Sequence, residues 1–382
     1  MKKQALAIAI ASALAAPSAF AAQDTSGMQY TSAAEGFYAS LRAHLDFSSG
    51  TNDADINAGT SRIGLRGTND LGGGLAGFYQ WEARATFSGS SPLDQVRLGH
   101  VGLRGNFGEF VVGRFWSNDY NWTHSSTDVA NVYSGYLNYT DQRGGRVGEA
   151  IQYTTPDLNG FQGAILVRMG GDNSDDRSDP ADPMTNEYNS VVNGARADND
   201  LDNWTLAGTY TVQGFTVAGS YSTEIDGLVA SNAEDSNGAT AGGMTAASTT
   251  DLTSWTVRLG YAQDNWYVNG WYGEDALSEG VTYSADVVDT SSNADTNRAA
   301  ANVALADREL ISVAGGVALD KVNVYALYET RELGMVEDTY GTVGVQYSLG
   351  SNSRVWIEYW SRDLDSDTTA EDLVNLGLRH DF

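Results

Sequence analysis

The connections of this chain alternate between short and long, and that constrains its fold more than any other feature. Sixteen segments place apolar and polar residues at alternate positions, as strands with one apolar face do. In the first half they cover residues 36–47, 60–67, 74–88, 93–105, 109–115, 146–155, 161–169 and 202–212. In the second half they cover 215–224, 252–263, 266–274, 307–319, 322–331, 338–349, 353–362 and 370–382. Tight turns join some of them, such as Asn106-Phe107-Gly108, Leu158-Asn159-Gly160, Gln213-Gly214, Asp264-Asn265 and Asp320-Lys321. Longer connections come between these turns, among them residues 115–145, 170–201, 225–251 and 275–306. A soluble sandwich gives no reason for strict alternation. A barrel in a bacterial outer membrane does, because short turns gather on one rim and long loops on the other.

The faces of single strands agree. Leu75, Gly77, Tyr79, Trp81, Ala83, Ala85 and Phe87 share one side of their strand. Ala76, Phe78, Gln80, Glu82, Arg84 and Thr86 share the other, so every charge lies on one face. Trp255, Val257, Leu259 and Tyr261 likewise alternate with Thr256, Arg258, Gly260 and Ala262. Residues 266–273 carry aromatics on both faces, and the pattern leaves that strand unoriented. No segment approaches the roughly 20 apolar residues of a membrane-spanning helix. A barrel strand needs only about ten residues, half of them apolar, so a chain without such a helix still crosses a membrane by closing a barrel. Tyrosine and tryptophan total 29, which suits aromatic girdles at the two interfaces.

The N-terminus reads as an export signal. Lys2 and Lys3 precede an apolar run from Ala5 to Ala16, and Ala19-Phe20-Ala21 supplies a cleavage site. Residues 1–21 are therefore expected to be a signal peptide, 22–35 a flexible start, and 36–382 the barrel.

Residues 60–146 are the most distinctive stretch. They contain Ser61-Arg62-Ile63-Gly64-Leu65-Arg66-Gly67, the Asp70-Leu71-Gly72 turn, Tyr79-Gln80-Trp81-Glu82, Val96-Arg97-Leu98, Gly102-Leu103, Phe107-Gly108 and Val112-Gly113-Arg114. Then 31 residues, 115–145, pass without strand periodicity, a length that usually signals function. In order and spacing these pieces resemble the general trimeric porins of Gram-negative outer membranes. The resemblance is sharp from about residue 36 to 153 and at the C-terminus, where Leu376, Leu378 and Phe382 alternate. It implies an all-β, 16-stranded antiparallel transmembrane β-barrel with long extracellular loops and a third loop, 115–145, folded inward. It also implies a homotrimer in outer-membrane lipid and lipopolysaccharide, inserted by the barrel-assembly machinery through Phe382. His380 stands where that terminal signal usually has an aromatic residue.

Such barrels set a row of arginines on the wall against carboxylates on the loop, across the path of small hydrophilic solutes. Motif matching places Arg62, Arg97 and Arg146 on that wall, with Arg42 and Arg66 as weaker candidates. The phases of Arg62 beside Ile63 and of Arg97 between Val96 and Leu98 point both into the lumen. On the loop, Asp128 is the best match and Asp119 the second. The family's second carboxylate falls near Val132, which is not acidic.

The remaining chemistry is mostly exclusion. The chain has no cysteine, which removes disulfides and thiolate chemistry. His44, His100, His124 and His380 lack metal-ligand spacing, and the phase of His100 points it away from the charges. Gly72-x-Gly74-x-x-Gly77 opens a strand rather than a helix, so it is no dinucleotide fingerprint. No catalytic residue, cofactor or resident metal is expected. Acidic residues cluster at Asp172, Asp175, Asp176, Asp179 and Asp182 and again at 198–202, without the calcium-loop pattern, as solvated outer loops that divalent cations bridge to lipopolysaccharide would. Asp and Glu total 49 against 22 Lys and Arg, which argues against nucleic acid and biases entry toward cations. The expected function is passive diffusion with weak cation preference. Two alternatives stay open: a solute-selective channel using Trp116, Tyr120 and Trp122 as an aromatic path, and a structural or adhesive barrel.

Overall fold

The structure, a computed structural model, describes residues 36–48, 54–87, 92–132, 145–169, 201, 203–229, 248–276, 282–284, 302–304, 308–333, 336–364 and 371–382. The expected signal peptide and N-terminal start lie outside the described residues, as do the acidic clusters at 172–182 and at Asp198, Asp200 and Asp202.

The strands run in chain order. They begin with β1 (Gly36–Ser48), β2 (Ala54–Asn57), β3 (Arg62–Gly72), β4 (Leu75–Ala85), β5 (Leu93–Gly105) and β6 (Gly108–Trp116). Then come β7 (Arg146–Thr154), β8 (Phe161–Arg168), β9 (Asn203–Val212), β10 (Phe215–Val229), β11 (Ser248–Gln263) and β12 (Trp266–Ala276). The last are β13 (Thr282–Ser284), β14 (Asn302–Ala304), β15 (Arg308–Leu319), β16 (Val322–Leu333), β17 (Val336–Ser348), β18 (Ser353–Leu364) and β19 (Glu371–Asp381). Each barrel strand pairs antiparallel with its chain neighbours, and β19 closes on β1 from Ser40↔Asp381 to Ser48↔Leu373. β2 and β3 both pair with β1, along its upper and lower parts, and are two halves of one strand. The barrel therefore closes at sixteen strands, the number that the alternation implies.

Several details differ from the sequence reading, among them β10 running on to Val229 and β11 starting at Ser248. The second barrel strand runs on to Gly72 instead of ending at Gly67, because the Asp70 carboxylate accepts the Gly72 N–H at 2.8 Å and a bulge absorbs the irregularity. The connection after β12 carries the small separate hairpin β13–β14, which the pattern did not reveal.

Outward residues are apolar and exposed: Leu65, Val101, Leu206, Val257, Val343 and Ile357 lie between 45% and 61%. No water-filled core could tolerate that surface, and lipid solvates it. The inner face holds the polar groups. Strand β12 resolves cleanly, with buried Tyr267 and Trp271 inside and Tyr272 outside. Several inward rings lie flat on a glycine of the next strand: Tyr38 on Gly64, Phe78 on Gly102, Tyr267 on Gly316, Tyr325 on Gly344 and Trp356 on Gly377. A methyl at any of these glycines would come within 2.7 Å of the ring. Bulky side chains thus pack against the wall.

Candidate functional site

The third long connection begins as expected and then crosses the barrel. Ser117 caps the short helix α1 (Asn118–Trp122), its side chain accepting the Tyr120 N–H. A 3₁₀ turn follows at His124–Ser126. The segment is tied to one wall strand after another. On β7, Gln152 accepts the Asn118 N–H at 2.9 Å and Thr154 accepts its side-chain amide at 2.6 Å. On β10, Ser220 donates to the Asp119 carboxylate. On β11, Arg258 donates to the Trp122 carbonyl at 2.8 Å. On β12, the Trp271 indole donates to Thr127 at 2.8 Å and meets the His124 ring edge-on at 4.6 Å. Val129 packs with Tyr267, Ala314, Tyr325 and Leu327.

The tip ends on Glu358 of β18, which is fully buried. Its carboxylate accepts the backbone N–H groups of Asn131 and Val132, the latter at 3.1 Å. It also accepts the Tyr325 hydroxyl and, at 3.2 Å, the Asn375 amide. A buried carboxylate is costly unless its lone pairs are met, and here five donors, the Asn131 side-chain amide at 3.3 Å included, meet them. Val132, which is not acidic, thus contributes its backbone N–H to this anchor.

Opposite this anchored path stands a cationic wall. Arg97 Nε donates to Glu82 at 2.6 Å, and Arg62 Nη1 lies 3.9 Å from the same oxygen. Tyr38 donates to the other oxygen at 2.9 Å and receives the Gln80 amide at 2.6 Å. Arg42 donates to Thr60 at 2.8 Å, within the gap between β2 and β3. Ser61 fills that gap by accepting the Arg42 N–H at 2.8 Å and reaching the Ala58 carbonyl at 2.7 Å. Directly across the seam, Arg379 pairs in register with Arg42 and donates to Asp381 at 2.7 Å. Four buried arginines thus share a wall on which Glu82 is the carboxylate that two of them reach.

The inward direction of Arg97 arises differently from the phase argument. A bulge sets Glu82 opposite Leu98 and Ala83 opposite Val96, so Arg97 is an extra residue. Arg97 and Leu98 both turn inward, and Leu98 packs on Trp116 and Tyr120. The bulge also reverses the phase expected for His100. That ring is buried on the inner face between Phe78 and Phe115, with Nδ1 3.1 Å from the Arg114 carbonyl.

The other site residues fall in two places. Arg146 lies over the Trp116 ring at 5.3 Å, Trp116 stacks on Tyr120 at 4.2 Å, and Tyr120 donates to Asp128. Asp128 and Arg146 are therefore joined through two aromatic rings at the base of the loop. Asp119 sits in the loop's own anchor, bonded by Ser220 and by Thr123 at 3.2 Å, with His124 at 3.5 Å. Burial alone would raise its carboxyl; His124 and the hydroxyl hydrogen bonds outweigh burial and hold it below its ordinary value.

Sequence reasoning missed Arg379, Glu82 as a partner, and Glu358. Arg379 alternates with the outward Leu376 and Leu378, which is a usable signal of an inward side chain. Glu82 lies on the charged face of its strand. Glu358 lies between the outward Ile357 and Tyr359, so phase gives its direction, but its anchoring role has no local signal because its loop partners lie 226 and 227 residues away.

Comparison with known proteins places this geometry. The family model described as Gram-negative porin matches residues 37–382. Outer membrane protein S2 of Salmonella typhi is 24% identical over 409 residues, covering all of both chains. Outer membrane porin protein 32 of Delftia acidovorans is 34% identical over 176 residues, 42% of this chain and 48% of its own. Among solved structures, the Salmonella typhi OmpF complex with daunomycin has a TM-score of 0.64 at 19% identity, covering 91% of this chain and 97% of that one. An anion-selective porin from Comamonas acidovorans has a TM-score of 0.62 at 16% identity, covering 91% and 98%.

Proposed function

The chain belongs to the Gram-negative porin family and is an outer-membrane porin channel; from that premise we propose a homotrimeric, water-filled path for passive diffusion of small hydrophilic solutes. The observation that carries this reading is the loop that crosses the lumen from β7 to β18 and is tied at each step. Such a loop narrows a barrel without plugging it. Arg42, Arg62 and Arg97 line one side of the constriction in this reading, and Arg146 and Asp128 line the base of the loop. Asp119 belongs to the constriction only as the group that fixes it in place. The excess of 49 Asp and Glu over 22 Lys and Arg supports a weak preference for cations at low salt. Lipopolysaccharide and the assembly machinery remain the partners proposed from family resemblance.

A second reading, preference for anions, is favoured by a specific observation. Of the four wall arginines two share Glu82 and one pairs with Asp381, while Asp119 and Asp128 are each engaged in hydrogen bonds, with Ser220 and Thr123 and with Tyr120. The sign of the throat would then outweigh that of the rim. Planar-bilayer conductance with a salt gradient separates the two. Conductance in triplet steps with a reversal potential of cationic sign supports the first reading, and one of anionic sign supports the second. Arg97→Ala and Asp128→Ala should shift that potential in opposite directions. Absence of conductance from correctly folded protein would overturn the diffusion channel altogether.

A further inference from the structure

A histidine stands in line with the wall arginines. Leu41, Leu45 and Phe47 are exposed on the outer face of β1, so Ser40, Arg42, His44 and Asp46 point into the lumen. Two residues of a strand span about 6.6 Å, which sets His44 one inward step from Arg42, on the side away from the short turns. Arg42 pairs across the seam with Arg379, and Arg62 pairs with Ser40 just below. A charge on His44 therefore acts on an ion at these guanidinium groups from within the Debye length, about 10 Å at 0.1 M salt.

The neighbours fix how the imidazole can ionise. Nδ1 lies 2.9 Å from one oxygen of the Asp46 carboxylate, and the other oxygen accepts the Asn57 side-chain amide. A carboxylate offers no proton, so Nδ1 carries one. Nε2 is then the nitrogen that gains or loses the second. Gly59, with a φ of 54°, lets residues 58–61 fold against this ring, where a methyl would sit 3.4 Å from Cδ2 and 3.6 Å from Nε2. Across the seam His44 opposes Gly377, on which the Trp356 ring lies.

The charged groups around it come from five strands. Arg42 and Asp46 flank it on β1, and Asp55 of β2 opposes Asp46. Arg62 belongs to β3, Arg379 and Asp381 to β19, and Glu358 of β18 reaches β19 through Asn375. Guanidinium stays charged throughout, carboxylates ordinarily ionise below pH 5, and imidazole ordinarily titrates between pH 5 and 8. The other three histidines lie elsewhere: His100 between Phe78 and Phe115, His124 beside Asp119 in the loop anchor, and His380 exposed near the chain end.

We propose that His44 is a selectivity-determining residue of the channel. Neutral, it leaves the Asp46 carboxylate to temper the top of the arginine row. Protonated, it cancels that carboxylate and tilts the constriction toward anions. The inference rests on the channel reading and adds the group through which acidity sets ion preference.

The test is the reversal potential of the purified, folded protein in a planar bilayer under a salt gradient, read from about pH 8 down to about pH 5.5. Anion over cation permeability should rise about twofold across that range at low salt. His44→Gln should hold the high-pH value of the unaltered protein throughout, and His44→Lys its low-pH value throughout. A purely structural role for the ring gives neither pattern. Should these variants fail to fold, Asp46→Asn gives the second reading, because at pH 8 it should already show the anion preference that the unaltered protein reaches in acid. A pH response that survives in His44→Gln belongs to another group and overturns the inference while the channel stands. A reversal potential of the unaltered protein that stays constant over the range overturns it equally, as does Asp46→Asn shifted toward cations. Absence of conductance from correctly folded protein overturns the channel reading and the inference with it.

Discussion

The two sides of the lumen use charge in opposite ways. On β1, β3, β5 and β19 the arginines 42, 62, 97 and 379 crowd together, with Glu82 between two of them. On β10 to β18 several polar groups engage the loop: Ser220 with Asp119, Arg258 with Trp122, Trp271 with Thr127, and Glu358 with Asn131 and Val132. The first wall gathers four guanidinium groups, two of them on Glu82 and one on Asp381. The second spends its hydrogen bonds on position. A constriction needs both, since a field acts selectively only across a gap of fixed width.

The largest break in this contrast should come from the anchoring side. Glu358→Ala leaves two loop N–H groups and the Tyr325 hydroxyl without their acceptor. Losing a charged acceptor costs about 1.5–3 kcal/mol per hydrogen bond. The tip should come loose, and single-channel records should show added noise and altered conductance in the folded barrel. Glu358→Gln should show a smaller version, and an unchanged record would mean that the tip is held elsewhere.

Next comes the arginine side. Glu82→Gln keeps the shape and removes the shared carboxylate. Anion over cation permeability should rise roughly two- to threefold, equivalent to about 0.5 kcal/mol. The change should fade near 1 M salt, where the Debye length is about 3 Å. A shift toward cations would show that Glu82 does not set the field.

The smallest effect concerns acid. The folded Asp119 carboxyl titrates below its ordinary value, so its contribution is present above the ordinary carboxylate range and is lost as pH falls through the folded value. Below about pH 4 the loop root should loosen, seen as growing conductance noise. Asp119→Asn should lack this dependence.

How much of this could be read beforehand follows the range of the interactions. Strand number and phase came through because alternation is local, and each of the sixteen segments carries its own signal. The extra residue at Arg97 did not, since a bulge flips phase without altering composition, and Leu98 and His100 went with it. Motif matching ranks Asp128 above Asp119 but gives neither its partners. Ser220, 101 residues away, marks Asp119 as an anchor, and Tyr120 donates its hydroxyl to Asp128 at the loop base.

The stitched loop also makes the barrel a braced tube. A wall one strand thick can be squeezed into an ellipse by lateral pressure in a bilayer, with little resistance beyond its own bending stiffness. A cord fastened to β7, β10, β11, β12 and β18 ties distant parts of that wall together. Any ovalisation must stretch the cord or break its bonds. The aperture it frames should therefore stay constant as membrane tension and osmotic load change, so that the narrowest part of the channel is also its stiffest cross-section.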